Sequence, residues 1–441
     1  MVDGERIERG GPLMYRRMGL IPQSLLDGGS SACRTPRSRH AASGAAVLAA
    51  ALIATACTTV TDGAAHRSEG GPAPGTVDVS LLDTGNYPTR PAPPLGAAGT
   101  PELGKQVEGV RMAEHVVGPW EVDPALTESG RADLLSTPDA LIPILTRNIA
   151  RAAGQHNYVT GFSSARKTES GRVDLVNAVM RFADPASAAA AAAECADLAV
   201  QPGIIDGLPT AQPATIPNHP DTRASTYETP APGSTTPNTS VSAYTAHGPY
   251  VLFQYAGSPD GVVPAADRIA KTLDLQLPAI DTFVPTPVSE LGGLPLDDGG
   301  LLARTVPASG DGIPPLMNHV YGRQATLHFE ASPLSSEQLF TDTGMDLWAW
   351  GKATVYQVRD GEAAAKLFER LMSDSQDNGE KPMAPVPDMP DSRCFEHEQL
   401  LSNKFVVCSA VADRYVIQAG SAQIADAHQQ TAAQYAMLMA S

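Results

Sequence analysis

Two stretches of this chain, VMRFADPASAAAAAAECADLA at 179–199 and VYQVRDGEAAAKLFERLMSD at 355–374, superpose at an offset of 176 residues. Each is an alternating run that turns, at an aspartate, into a helical pattern. A strand face repeats every two residues and a helix face every three to four, so the change of period defines a strand, a turn and a helix together. Ala178, Met180 and Phe182 share one strand face, and the offset puts Thr354, Tyr356 and Val358 on the same face of the second copy. Asp184 stands where it can cap the first helix, with Pro185 at the first helical position; Asp360 caps the second, with Glu362 in its first turn. A further pair, AYTAHGPYVLFQYAGS at 243–258 and CSAVADRYVIQAGS at 408–421, aligns Tyr250 with Tyr415, Val251 with Val416 and Leu252 with Ile417. Each predicts a hairpin leading to a closing helix, 264–275 and 423–440, and each copy has an earlier helical stretch, 137–153 and 335–343. The expected fold class is α+β: two similar repeat domains, each an antiparallel sheet with helices packed on one face.

The amino end predicts a location. AVLAAALIATACTTV at 46–60 is the only long polar-free run, and from Ala41 to Ala56 it spans 16 residues, short of the ~20 that cross a bilayer. Arg34, Arg37, Arg39 and His40 precede it, and Thr55 and Ala56 precede Cys57, the order of a secretory signal. ATAC at 54–57 resembles a bacterial lipobox, with Ala54 where leucine is usual. On that resemblance Cys57 becomes the acylated first residue of the mature chain. Residues 1–30 have no periodicity, and Met14 or Met18 is an alternative start. The expected organisation is a signal peptide at 1–56, the acylated cysteine and a flexible tether at 57–76, a Pro-rich arm plus first domain at 77–283, a linker at 284–300, and a second domain at 301–441. A tether this small and polar would span roughly 25 Å.

Charge narrows the partners. The chain carries a net charge of −17, and loss of residues 1–56 leaves −20. Such a surface repels phosphate backbones and anionic headgroups, so nucleic acid is not an expected partner. The membrane is expected to be reached through the lipid anchor, on the outer face of the cell membrane, with partial release into the medium as an alternative. An envelope lipid or protein is the expected partner there.

VDVSLLDTGNYPTRPAPPLG at 77–96, EGVRMAEHVVGPWEVDPAL at 108–126, GFSSAR at 161–166 and AQYAMLMA at 433–440 together resemble a family of actinobacterial envelope lipoproteins of the mycobacterial and nocardial type, described only as a domain of unknown function. The resemblance covers nearly the whole mature chain. It implies export, lipidation and two domains, and it brings no catalytic residues.

The cysteines divide by position. Leu367, Phe368 and Leu371 mark the buried stripe of the second repeat helix, and Leu371 superposes on Cys195, which is therefore expected in a core. Cys394 and Cys408 flank FEHEQLLSNKFVV, a hairpin turning near Leu401 to Asn403, and symmetric pairing sets them opposite each other. In an oxidising compartment they are expected to form a disulfide closing a 15-residue loop, worth about 3 kcal/mol in the chain-entropy model.

Chemistry-bearing motifs are few. GFSSA at 161–165 is a Gly-x-Ser-x-Ala variant of the hydrolase elbow, but the elbow needs a helix after the serine, and here a polar stretch and another strand follow. A hydrolase acting on envelope lipid or glycan through Ser163 or Ser164 is the alternative function, and it needs a histidine and a carboxylate within reach. His219 and His247 lie in loop-like surroundings. Glu396 and Glu398 share a strand face opposite His397, an arrangement ordinary for a solvated hairpin and without further metal ligands at fixed spacing. No phosphate loop, zinc spacing or His-Glu-x-x-His element occurs, so no metal or cofactor is expected. Trp348 and Trp350, two apart on one strand face, either join a core or floor a ligand groove between the domains. The expected function is accordingly non-catalytic: binding or scaffolding in the cell envelope, with the cleft between the domains as the ligand site.

Overall fold

Strand and helix follow one another in the order that the repeated period changes require. The computed structural model describes residues 77–204, 208–229, 236–310, 312–398 and 404–440. The signal segment, Cys57, the tether and the hairpin turn at 401–403 lie outside the described residues.

The first domain contributes seven strands: β1 (Glu128–Leu134), β2 (Tyr158–Lys167), β3 (Asp174–Phe182), β4 (Gln212–Ala214), β5 (Arg223–Thr229), β6 (Asn238–His247) and β7 (Tyr250–Ser258). Its helices are α1 (Pro101–Met112), α2 (Pro119–Val122), α3 (Arg147–Gly154), α4 (Pro185–Ala199) and α5 (Val262–Asp281). The second contributes β8 (His319–Gly322), β9 (Leu347–Trp350), β10 (Ala353–Gln357), β11 (Lys381–Met383), β12 (Arg393–Glu398), β13 (Lys404–Ala412) and β14 (Tyr415–Ser421), with α6 (Arg323–Leu327), α7 (Pro333–Thr343), α8 (Gly361–Asp377) and α9 (Ile424–Met439).

Both sheets are antiparallel and have one topology. The orders are β1-β2-β3-β7-β6-β5-β4 and β8-β9-β10-β14-β13-β12-β11, which become identical when β8 is set on β1. The repeat is thus a duplication of the whole domain. Asp184 caps α4 by accepting from Ser187 N at 2.9 Å, and Asp360 caps α8 by accepting from Ala363 N at 2.8 Å. The duplication runs further than strand and helix. IPNHPDTR at 216–223 and VPDMPDSR at 386–393 form the same pair of turns before β5 and β12, with Asn218 and Asp388 at φ 62° and 59°, a region these two residue types tolerate. On the closing helices, Gln276 accepts from Val117 N and donates to His115 O, while Gln434 accepts from Val306 N and donates to Arg304 O. Each domain therefore fastens its entering segment to its last helix with one buried amide.

The α+β class and the two similar domains agree with expectation; the helices, expected on one face, cover both. Ala178, Met180 and Phe182 pack on α3 and α4, while Leu175 and Val179 on the opposite face of β3 pack on α5. Asn177 and Arg181 lie on that second face. Both are buried, Asn177 donating to Gln276 and Val117 O and Arg181 paired with Glu108 of α1. Buried polar groups of this kind are tolerated because each is hydrogen-bonded. In the second domain α8 lies over Tyr356 and Val416, and α9 over the face carrying Cys394 and Cys408.

Residues 78–440 belong to one compact unit, and one apolar core runs through both domains, from Trp120 and Phe162 to Phe329, Trp348 and Phe368. The linker segment at 284–300 packs as a strap. Leu294 O and Gly292 O accept from Ala98 N and Gly99 N at 2.8 Å, and Gly104 of α1 lies so close to Leu291 O that a Cβ there would stand 2.2 Å away. The Pro-rich arm packs on the second domain: Tyr87 donates to Asp426 of α9 at 2.7 Å, and Ala92 N donates to Ala303 O.

Candidate functional site

Strand β2 carries the elbow-like GFSSA and borders the second domain. Alternation sends Phe162, Ser164 and Arg166 to the face that meets the 327–331 turn. Ser164 Oγ lies 2.9 Å from His328 Nδ1, and His328 Nε2 lies 3.1 Å from Ala113 O. A carbonyl can only accept, so Nε2 carries the proton and Nδ1 accepts from the serine hydroxyl. Burial lowers the His328 pKa to about 3, which leaves the ring neutral and weakly basic. A histidine therefore stands within reach of Ser164, as the hydrolase alternative requires. Among the described residues no carboxylate is a hydrogen-bond partner of its ring, and serine and imidazole are both buried. Ser163 is buried beside Ala178 and Asp133.

Arg166 holds the seam. Its guanidinium donates to Thr127 O at 3.1 Å, to Ala331 O at 3.3 Å and to His328 O at 3.4 Å, and also to Glu330 O. It stacks over the Trp120 ring at 5.2 Å. Desolvation lowers its pKa to about 10, so it stays charged at neutral pH.

The groove expected at Trp348 and Trp350 is filled. Each indole is 1% exposed, and Phe329 packs on both at centroid distances of 5.4 Å, with Tyr321 at 5.5 Å from Trp348. The two rings do share a strand face. That face points into the core running between the domains, where the 327–331 turn takes the space a ligand would need.

The cysteines lie as their spacing indicates. Cys394 pairs with Cys408 across β12 and β13 and the two form a disulfide, their Cα atoms 4.0 Å apart. His428 of α9 approaches both sulfurs, but a disulfide offers no thiolate to a metal. Cys195 is free and buried, its pKa raised to about 12 by burial, which makes it inert. On the hairpin, Glu396 is bound by Lys404 at 2.9 Å, and His397 is buried within 2.9 Å of Glu380, a close approach without hydrogen-bond geometry.

Two cavities stand apart from these residues. One, of about 480 Å³, opens where the arm crosses the strap, beside Pro94, Leu95, Pro295 and Arg304. Its charged groups are already engaged: Asp297 accepts from Leu302 N and Ala303 N, and Arg304 donates to Tyr415 and Leu438 O. The other, of about 220 Å³, lies on the α4 face of the first sheet, among Ile144, Leu145, Phe253 and the hydroxyls of Ser225, Ser242 and Tyr255. The motif reading missed it because its walls come from six separate helices and strands and contain no chemical signature. Its one sequence trace is a difference between the repeats: Ser225 and Ser242 stand where the second domain has Phe395 and Val407.

With the geometry described, the chain can be placed among known proteins. It is matched by the N-terminal model of the domain of unknown function DUF7373 over residues 95–296 and by the C-terminal model of the same domain over 301–441. Together the matches take in more than three quarters of the chain, which belongs to this family. No curated protein matches it. Among solved structures, the extracellular domain of PknH from Mycobacterium tuberculosis is similar at 15% identity, over 38% of this chain and 94% of that one, with a TM-score of 0.28. At that score the likeness carries no argument about this chain.

Proposed function

We propose that the protein is an exported lipoprotein of the cell envelope, anchored on the outer face of the membrane through Cys57, with a binding or scaffolding role and no catalysis. The observation that carries this reading is the cross-strand pairing of Cys394 with Cys408. Such a bond persists in oxidising compartments, in keeping with the signal-like segment and the lipobox resemblance at 54–57. Among the described residues no helix is long and apolar enough to cross a membrane, and under this reading the acyl chains supply the attachment. Burial of the Ser164–His328 pair supports the non-catalytic part.

Metabolic labelling with a palmitate analogue tests the anchor: the label is expected on the wild type and absent from Cys57→Ser, which should also leave the membrane fraction. An unlabelled wild type with unchanged fractionation of the variant would refute it. The hydrogen bond between Ser164 and His328 favours one second reading, a serine hydrolase. A fluorophosphonate probe decides between them, because covalent labelling lost in Ser164→Ala would establish a reactive serine.

A further inference from the structure

We infer that the 220 Å³ cavity of the first domain is a binding site for one uncharged alkyl chain, or the end of a longer one, bearing a hydroxyl or carbonyl group. This deepens the binding reading above and does not depend on the anchor. The size is the first ground. A cavity of about 150 Å³ suffices for benzene, and at roughly the ~30 Å³ of a liquid water per methylene the space takes about seven carbons.

The lining is the second ground. No Lys, Arg, His, Asp or Glu borders the cavity, so an anion or cation would lose its hydration without a partner. Ile144, Leu145, Ile149 and Phe253 form the apolar part. Three of the six hydroxyls there bond to the protein: Tyr255 to Ser240 at 2.9 Å, and Tyr227 to Ser242. Thr146 does not. It occupies the N-cap position of α3 yet makes no cap hydrogen bond, and its buried Oγ1 has no partner among the described residues. A few neutral polar contacts at the border of an apolar space select an amphipathic, uncharged chain.

The duplication is the third ground, because it shows how the same space is closed when it is not kept open. In the second domain the sheet positions of Ser225, Ser242 and Tyr255 hold Phe395, Val407 and Gly420. There α8 offers Leu367, Phe368, Leu371 and Met372 to the sheet where α4 offers Ala191, Ala192, Cys195 and Ala196. Of the α4 residues only Ala199 borders the cavity, so the difference that bears on it directly is on the sheet, where Phe395 and Val407 replace Ser225 and Ser242.

The full-length protein titrated with octan-1-ol in a calorimeter supplies the test. Saturable binding near one octan-1-ol per chain is expected, at least tenfold tighter than that of octanoate. Ser225→Phe and Ala199→Leu, which fill the cavity from the sheet and from the helix, are each expected to weaken octan-1-ol binding at least tenfold while near-UV circular dichroism stays native. Equal affinity for octanoate, or undiminished octan-1-ol binding in whichever filling variant remains folded, would overturn the assignment, as would failure of the wild type to bind. Loss of the palmitate label with octan-1-ol binding intact would sink the anchor reading alone.

Discussion

A neutral imidazole sealed among apolar side chains ties stability to pH. His328 titrates near 3 in the folded protein because burial disfavours its charged form, whereas in the unfolded chain it titrates near 6.5. Between those values the unfolded state binds a proton that the folded state does not, so stability falls as pH drops from about 6.5 toward 3 and is whole above that window. Its slope is at most about 1.4 kcal/mol per pH unit for one such group. His319, depressed to about 4 by burial, adds to it. Urea unfolding of the wild type and His328→Gln at pH 7, 6, 5 and 4 should give a shallower pH dependence in the variant; equal slopes would show that His328 takes up its proton without unfolding. Neither His328 nor Arg166 stands out in the sequence, since what makes them consequential is a set of carbonyls more than 160 residues distant. The serine motif was visible at 161–165, and its histidine was not, because no spacing rule links Ser164 to residue 328.

Elements were far more legible than sites. Period and cap residues are local, and Asp184 and Asp360 each close the first turn of their helix as the sequence indicates. The cysteine pair was equally readable, since antiparallel register converts equal distances from a turn into opposite positions. Polarity alone does not report burial state: Asn177 and Arg181 are polar strand residues, and their partners Gln276 and Glu108 hold them inside. The indole pair shows the same limit, for Trp348 and Trp350 share a face that Phe329 covers. The disulfide carries a prediction at this scale. Cys394→Ser with Cys408→Ser should lose about 3 kcal/mol of stability, measured as a lower urea midpoint, and a reductant should bring the wild type to the same midpoint without affecting the variant. A reductant that moves both proteins alike would show that the bond contributes nothing in solution.

On the scale of the molecule, a duplicated chain with two family domains could behave as two independent bodies or as one. Contacts across the seam argue for one. The core that contains Trp120 and Phe162 of the first domain is continuous with that of Phe329, Trp348 and Trp350 in the second, and Arg166 spends its donors largely on carbonyls of the opposite domain. Separating the domains would expose apolar surface and strand a buried cation and its acceptors, a cost of several kcal/mol. Thermal unfolding followed by far-UV circular dichroism, which sees both sheets, and by indole fluorescence, which sees only the shared core, should therefore give coincident transitions. Arg166→Met leaves buried carbonyls unsatisfied, and roughly 3 kcal/mol of destabilisation is expected, with the two signals beginning to separate as the domains lose their coupling. Two resolved transitions in the wild type would mean that the shared core contributes little cohesion. The domains would then be able to part, and a ligand could enter between them at the very place where Phe329 now packs against the two tryptophans.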